Sequence, residues 1–516
     1  MQVPDTDTAE EPNSATTDSL DGVNLVVVSN RQPYRHEFDP DSDRRDVVVE
    51  RPTGGLTAGL DPVMQSTEGT WVAWGDGEAD PEVADEDDCV VVPPEDPSYT
   101  LRRIWLDDEA VDEYYYGYSN RGLWPLCHSA LTKARFSERF WDTYGAVNER
   151  FADAVAEQCG EERSWVWFHD YHLALAPRLL RDRGRSEAVL AHFWHIPWPG
   201  ADVFEACPQR RDLLDGLLAN DLVGFHVDRY VENFLDSVEE LLEDAAVDRE
   251  TGAVHYDGRR TLVRSFPMGV DAERIDRQSA SEEATNFWWE FAGEHDLVTP
   301  ERQLVLGVDR LDYAKGILER FDALERLWED HPEWRGRFTY VQKGTETRTG
   351  IRDYQEYQER IEEAVERLNG RFGTDDWRPV VSLSERLSEE ALAGLYRNAD
   401  VALVSSIRDG MNLVAKEYVA AQHDLDGVLV LSRHAGAHDE PTFAENALTT
   451  DPLDTDEFAE SIRTALTLAP TDRRRRMTRL RRHVREYDLS WWMDAVFETM
   501  NEIESESRLA SAFDDD

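Results

Sequence analysis

Val401–Gln422 reads VALVSSIRDGMNLVAKEYVAAQ. Four apolar residues are followed by a loop carrying Gly410 and then by apolar positions at helical spacing. This pattern predicts a buried strand, a tight loop and a helix beginning near Met411. In open α/β sheets, ligands sit beyond the carboxyl ends of the strands. A helix starting there aims free N–H groups and a positive dipole end at that space, which favours phosphate. Asp409 at the loop tip is placed to bind sugar hydroxyls, and Glu417, about two turns into the helix, to accept from a ribose. Spacing alone equally allows Asp409 and Asn412 to be caps and Glu417 a solvated acid.

The same rhythm continues outward in both directions. Short apolar runs recur at Leu25–Val28, Trp71–Trp74, Val90–Val92, Trp165–Phe168, Val189–Phe193 and Leu222–Phe225. A second set follows at Leu304–Val308, Phe338–Val341, Val380–Leu383, Val401–Val404 and Val428–Leu431. Near-continuous apolar strands alternating with amphipathic stretches predict parallel sheets covered on both faces. Two such sets predict an α/β protein with two doubly wound, Rossmann-like domains. The join falls at Phe266–Asp271 (FPMGVD), where Pro267 and Gly269 end the last strand of the first set. The expected division is an acidic disordered tail at 1–22, domains at 23–268 and 269–485, and a terminal helix with an acidic tail at 486–516. The apolar face of LSWWMDAVFETMNE (Leu489–Glu502) needs a surface to cover, so this helix is expected to pack back on the N-terminal domain.

Composition bounds the function classes. The 516 residues carry 107 acids against 55 bases, a formal charge of −52. Only four of the bases are lysines: Lys133, Lys315, Lys343 and Lys416. Acids spread along the whole chain, with arginine replacing lysine, imply adaptation to molar salt, where the Debye length shrinks to about 3 Å. No basic face is available to neutralise nucleic-acid phosphates. Cys89, Cys127, Cys159 and Cys207 lie far apart with no CxxC, which argues against a metal site or a disulfide framework. The N-terminus lacks a signal-peptide pattern and no run reaches the length of a membrane span. A soluble, cytoplasmic protein is expected, with homo-oligomerisation left open.

Other strand ends carry candidate chemistry. In LVLGVDRLDYAKG (Leu304–Gly316), Arg310 and Lys315 follow a buried strand in a chain poor in bases. Neutralising a diphosphate explains them, because a leaving nucleotide gathers charge as the glycosidic bond breaks. The alternative is an ordinary ion pair with Asp309 or Asp312. Arg31 ends the first strand in VVVSNR, and Gly55 in PTGGL lets backbone approach a ligand closely. Asp170 in WVWFHDYH and His195 in AHFWHIPWP end neighbouring strands, suiting hydroxyl recognition. His169, His172 and His192 match no zinc spacing and read as core or supporting residues. The aromatic stretch DEYYYGYSNRGLWP (Asp112–Pro125) offers Tyr115 and Trp124 either as a sugar platform or as core-edge packing. Arg348 stands past another strand and before a helix.

Taken together, VVVSNR, GGL, DEYYYGYSN, LWP, WFHDYHL, HIPWP, RLDYAKG, RDGMNLVAKEYVA and VLVLSRHAGA resemble the trehalose-6-phosphate synthase family of retaining glycosyltransferases with the GT-B fold. The resemblance spans roughly residues 24 to 500. It implies two Rossmann-like domains facing across a cleft, the first binding the acceptor and the second the nucleotide-sugar. It also implies that Arg310 and Lys315 bind the donor diphosphate with Gly55 closing over it, and that Glu417 holds the ribose. Asp409, Met411, Asn412, Leu413 and Val414 would line the transferred glucose and the phosphates, and His195 would touch the donor glucose. Arg31, Tyr115, Trp124, Asp170 and Arg348 would hold glucose 6-phosphate. His195, Arg310, Lys315 and Asp409 form the implied catalytic set, with no metal and no cofactor. The partners implied are a nucleotide-glucose, UDP-glucose first and GDP- or ADP-glucose as alternatives, and glucose 6-phosphate. The product would be α,α-trehalose 6-phosphate, formed with retention.

The segment RHEFDPDSDRRD (Arg35–Asp46) does not follow the family pattern, which leaves the shape of the acceptor lid open. Three rivals are weighed. A glucosylglycerol-phosphate synthase would need altered acceptor contacts, whereas Arg31, Tyr115, Trp124 and Asp170 are all present. A sugar-nucleotide epimerase would not need Arg31 and Arg348. An inactive sugar-phosphate sensor would be expected to have lost His195, Arg310, Lys315 or Asp409.

Overall fold

The computed structural model describes residues 20 and 22–514, apart from 41, 43–44, 52–54, 68, 161–162, 185–186 and 298–301. Residues 1–19 and 21 of the expected acidic tail lie outside the described residues, as do Gly54 and the last two aspartates.

Among the described residues, two large sheets carry the chain. The first has ten strands. Its centre runs Arg259–Ser265, Leu222–Phe225, Val189–Phe193, Ser164–His169, Asn24–Arg31, Thr70–Trp74 and Tyr99–Ile104, all parallel. Antiparallel strands close its edges, Cys89–Val92 on one side and Ala246–Asp248 with Ala253–Tyr256 on the other. The second sheet is wholly parallel, in the order Val380–Leu383, Phe338–Thr345, Gln303–Arg310, Val401–Val404, Val428–Ser432, Leu448–Thr450.

Burial on both faces explains why these strands are continuously apolar rather than alternating. In Asn24–Arg31, Val26 and Val28 enter one core cluster while Leu25 and Val27 enter another on the opposite face. Ser164–His169 repeats this, with Val166 and Phe168 on one side and Trp165 and Trp167 on the other. The first of these clusters continues into Leu304, Leu306 and Val404, so one apolar layer runs through both sheets.

The last helix, Leu489–Asp514, lies on the outer face of the first sheet. Leu489, Trp492, Val496, Phe497 and Met500 fall on one helical stripe and are all buried there. Trp492 meets Trp167 at 5.2 Å and Phe193 at 5.1 Å between ring centroids. Burying one such side chain is worth about 2–3 kcal/mol, enough to hold the chain end on the opposite half.

Two local structures go beyond what spacing suggests. Val111–Leu123 is a wide π-type helix. Tyr114 and Tyr118 on it are fully buried, and Tyr115 packs against His172 with rings 5.9 Å apart. The acidic segment after Arg31 forms a small antiparallel pair, Arg35–Phe38 with Val47–Glu50. Arg103, itself fully buried, holds its base through Asp80 at 3.0 Å, Gln32 and the Tyr34 carbonyl.

Candidate active site

A cleft of about 350 Å³ opens at the carboxyl ends of both sheets and is lined from both halves. On the C-terminal side, Gln303–Arg310 ends on Arg310, and the following turn carries Asp312 and Lys315. The nearby acids are already engaged: Asp309 pairs with Arg320 at 2.8 Å and Asp312 with Arg348 at 2.7 Å. Lys315 reaches instead to Asp409, Nζ to Oδ2 2.5 Å. Arg310 has no ion pair among the described residues. Burial, with Arg348 and Arg31 close by, lowers its pKa, so the site favours an anion beside it. The pairing with Asp309 or Asp312 that spacing allowed is therefore not formed by either base.

Burial alone would push the Asp409 carboxyl up, but Lys315 holds it far below its ordinary value, helped by Ser406 at 2.9 Å. Asn412 donates to the same oxygen at 3.0 Å. Its backbone is left-handed, φ 74°, and its side chain accepts from the Ala415 N–H at 3.3 Å. Asn412 is thus the cap, Asp409 is not, and the helix Leu413–Ala421 starts two residues after the expected Met411. Met411, Leu413, Val414 and Glu417 line the cleft. The Glu417 carboxylate accepts from the Tyr396 hydroxyl at 2.9 Å, and burial raises its pKa. Beyond it lies a largely apolar slot of about 270 Å³, walled by Leu387, Leu392 and Tyr396 and continuous with Arg310 and Glu417.

On the N-terminal side, Arg31 follows a bulge in the first strand, where the Ser29 hydroxyl donates to the Arg31 carbonyl at 2.6 Å. Burial would raise the Tyr115 phenol, but Arg31, Arg348 and Arg310 together bring it below its ordinary value. The positive charge of three guanidiniums is therefore felt at this phenol. Arg348 is fixed by the Tyr354 hydroxyl at 2.8 Å and by the Trp124 ring at 3.8 Å, in addition to Asp312. Arg310 lies 5.3 Å over the same ring, whose Nε1 is buried with no partner.

Asp170 sits in the left-handed region, φ 71°, and accepts from the Tyr171 N–H at 3.0 Å. Burial pushes its carboxyl up to about 6, against the pull of that N–H, Arg310 and Arg348. His195 faces the cleft with Nε2 3.0 Å from Nδ1 of His169. Burial, then His169 and His226, hold it well below the usual imidazole range. The two halves meet closely here: a Cβ on Gly410 would lie 2.0 Å from the His195 carbonyl oxygen. The Tyr230 hydroxyl also donates to the Asp409 carbonyl at 2.6 Å.

The structure thus brings Arg31, Asp170, His195, Arg310, Lys315, Asp409 and Glu417 to one cavity, with Tyr115, Trp124 and Arg348 directly behind it. Gly55 opens the helix Gly55–Thr67, whose Thr57 lines the cleft. Sequence reasoning named Asp312 only as a possible ion-pair partner and did not single out His226, Thr57 or Tyr396. Asp312 lies inside RLDYAKG and was open to discovery as the anchor of Arg348. The others sit in stretches with no local signal. Among the described residues, no three His, Cys, Asp or Glu side chains are placed to hold a metal ion.

Two α/β halves facing a cleft lined by bases, acids and imidazoles have the GT-B fold of glycosyltransferases. The model of glycosyltransferase family 20 matches residues 23–502, and the chain belongs to that family. It is 33% identical over 506 residues to an alpha,alpha-trehalose-phosphate synthase [UDP-forming] of Botryotinia fuckeliana, covering 96% of this chain and 90% of that one. Among solved structures, it is similar to an alpha,alpha-trehalose-phosphate synthase (UDP-forming) of Burkholderia xenovorans in complex with glucose-6-phosphate. That likeness has a TM-score of 0.81 at 31% identity, over 92% of this chain and 99% of that one. It is also similar to an E. coli trehalose-6-phosphate structure bound with UDP-2-fluoro glucose, with a TM-score of 0.80 at 31% identity, over 93% and 99% of the two chains.

Proposed function

We propose that this enzyme transfers glucose from UDP-glucose to glucose 6-phosphate with retention, giving α,α-trehalose 6-phosphate in the cytoplasm. The observation that carries this reading is that Arg31 and Arg310 line one cleft, with Arg348 sharing the Trp124 ring with Arg310, beside a second polar cluster of Lys315, Asp409 and Asn412. Two anionic ligands would account for both clusters. The acceptor phosphate meets Arg31, Tyr115 and Arg348, with Trp124 Nε1 free to donate to it or to a sugar hydroxyl. The donor diphosphate meets Arg310, Lys315 and the first turn of the helix Leu413–Ala421. Glu417 takes the ribose, and the apolar slot beyond it takes the base. The names of the relatives, UDP-forming synthases, and the glucose-6-phosphate and UDP-sugar complexes of the similar structures support the same pair of substrates.

Asp170 and neutral His195 bind sugar hydroxyls on the N-terminal side. Arg310 stabilises the charge that gathers on the leaving diphosphate as the glycosidic bond breaks, in a site whose dipoles are already oriented. The acceptor hydroxyl attacks from the face the leaving group departs from, and the leaving phosphate oxygen takes its proton. The test is nucleotide release in molar KCl with UDP-, GDP- or ADP-glucose, with and without glucose 6-phosphate. Release of UDP that requires glucose 6-phosphate is expected. Release only with glycerol phosphates, or with no acceptor at all, would overturn the assignment.

A further inference from the structure

In this acid-rich chain, the helix Pro470–Glu486, PTDRRRRMTRLRRHVRE, is an exception, with eight arginines and a histidine. Six of the arginines are engaged. Arg473, Arg476 and Arg481 donate to backbone carbonyls. Arg474, Arg475 and Arg485 pair with Asp426, Asp472 and Asp276. Arg479 and Arg482 have no hydrogen bond or ion pair among the described residues. Three residues apart, they share one helix face, where like charges repel.

Both line a cavity of about 440 Å³, with His483 beside them. Its other wall is Pro267, Tyr487 and Trp491, the two rings meeting edge to face at 4.9 Å. Paired guanidiniums suit an oxyanion, and an aromatic wall suits the apolar face of a ring. We propose that this cavity binds a phosphorylated sugar, its phosphate between Arg479 and Arg482 and its ring against Trp491.

Two carboxylates also line the cavity, Glu486 and Glu440. Glu440 is already compensated: His483 Nε2 lies 2.7 Å from Oε2 and Lys416 Nζ 2.6 Å from Oε1. Lys416 is fully buried and also donates to the Met268 carbonyl at 2.8 Å. It belongs to the helix Leu413–Ala421, whose first turn lines the cleft, as does Met268. The contacts His483–Glu440–Lys416–Met268 therefore link the cavity to the cleft. Pro267 lies in the same linking segment, and a Cβ on Gly269 would sit 2.3 Å from the Asp488 backbone, so that segment is tightly held. A phosphate beside His483 competes with Glu440 for its Nε2, and so biases Lys416 and the segment between the halves. Such coupling is reciprocal: nucleotide in the cleft changes affinity at the cavity by the same factor.

The test uses the full chain, with glucose 1-phosphate and inorganic phosphate as calorimetric probes. Two classes of phosphate site are expected. One weakens at least tenfold in Arg479→Gln/Arg482→Gln, with an unchanged melting temperature because both side chains are exposed. The other weakens in Arg310→Gln. At the first class, glucose 1-phosphate binds at least tenfold tighter than inorganic phosphate, and Trp491→Ala removes that preference. Saturating it shifts UDP affinity several-fold, and Glu440→Gln abolishes the shift. A single class that survives the double variant means that only the cleft binds phosphate, and overturns the site. Equal affinity for the two probes overturns the sugar assignment, and an unmoved UDP affinity overturns the coupling.

Discussion

The two walls of the cleft are built from different chemistry. The N-terminal wall presents imidazoles, His169, His172, His195 and His226, all kept uncharged because burial pushes their pKa values down. The C-terminal wall presents fixed charge: Asp309, Asp312 and Asp409 are each paired, with Arg320, Arg348 and Lys315, while Arg310 has no ion pair among the described residues. Neutral rings donate and accept hydrogen bonds without attracting counter-ions, which suits sugar hydroxyls. Paired charges stay ionised when buried, and the one base left unpaired marks where an external anion is needed. On the proposed reaction, charge stabilisation would fall to the C-terminal wall and sugar orientation to the N-terminal wall.

The largest expected effect tests that assignment. Arg310→Ala removes the unpaired cation, and kcat/KM is expected to fall about 10³-fold, the scale of losing one preorganised donor to a developing oxyanion. Steady-state nucleotide release measures it, and a loss under tenfold would mean that Lys315 carries the charge instead. Next comes the contact between the walls. Gly410→Ala puts a methyl group 2.0 Å from the His195 carbonyl, so one loop must move. A shift of about 1 Å is expected to cost about 10²-fold in kcat, with the melting temperature little changed. Parent-like kcat in that variant would show that the two loops need not touch for turnover.

The walls should also differ in pH response. Asp170 is the titrating group of the N-terminal wall, raised by burial to about 6. Below that pH it is protonated, so kcat/KM for glucose 6-phosphate should fall about tenfold per unit, and Asp170→Asn should lack this limb. His195 and its neighbours stay neutral through the same range and add no limb of their own. Stability has the opposite sign. A carboxyl whose folded pKa lies above its unfolded value destabilises the fold once ionised, so the cost grows from about pH 4 and is complete above about 6. Asp170→Asn should therefore melt higher than the parent at pH 8 and no higher at pH 4. An equal difference at both would assign the shift to geometry rather than charge.

Much of this was legible because it is local. A buried parallel strand writes its apolar run directly into the chain, and the residue that reaches the cleft lies at or beyond the strand end, as at Arg31, Asp170, His195, Arg310 and Asp409. What spacing could not resolve are pairings across the fold. Whether Lys315 met Asp312 three residues away or Asp409 ninety-four away depended on Asp312 already being engaged by Arg348. Likewise, nothing around Tyr396 or His226 marks them, since each reaches the cleft only through the order of the strands. The π-type helix at Val111–Leu123 escaped for another reason: its wide turn has no distinct period in sequence.

The smallest expected effect separates orientation from charge on the C-terminal wall itself. Glu417 is ionisable but, unlike Asp409, has no cation paired with it among the described residues; the Tyr396 hydroxyl restrains it at 2.9 Å. If Glu417 serves by accepting from a ribose, losing that hydroxyl frees its rotamer and removes a hydrogen bond that opposes the rise in its pKa from burial. Tyr396→Phe should then raise the donor KM about three- to tenfold, the worth of about one hydrogen bond, with kcat near the parent value. A fall in kcat instead would mean that Glu417 acts on the transition state. In that case the division between a charged wall for chemistry and supporting groups for binding would have to be redrawn one turn deeper into the helix.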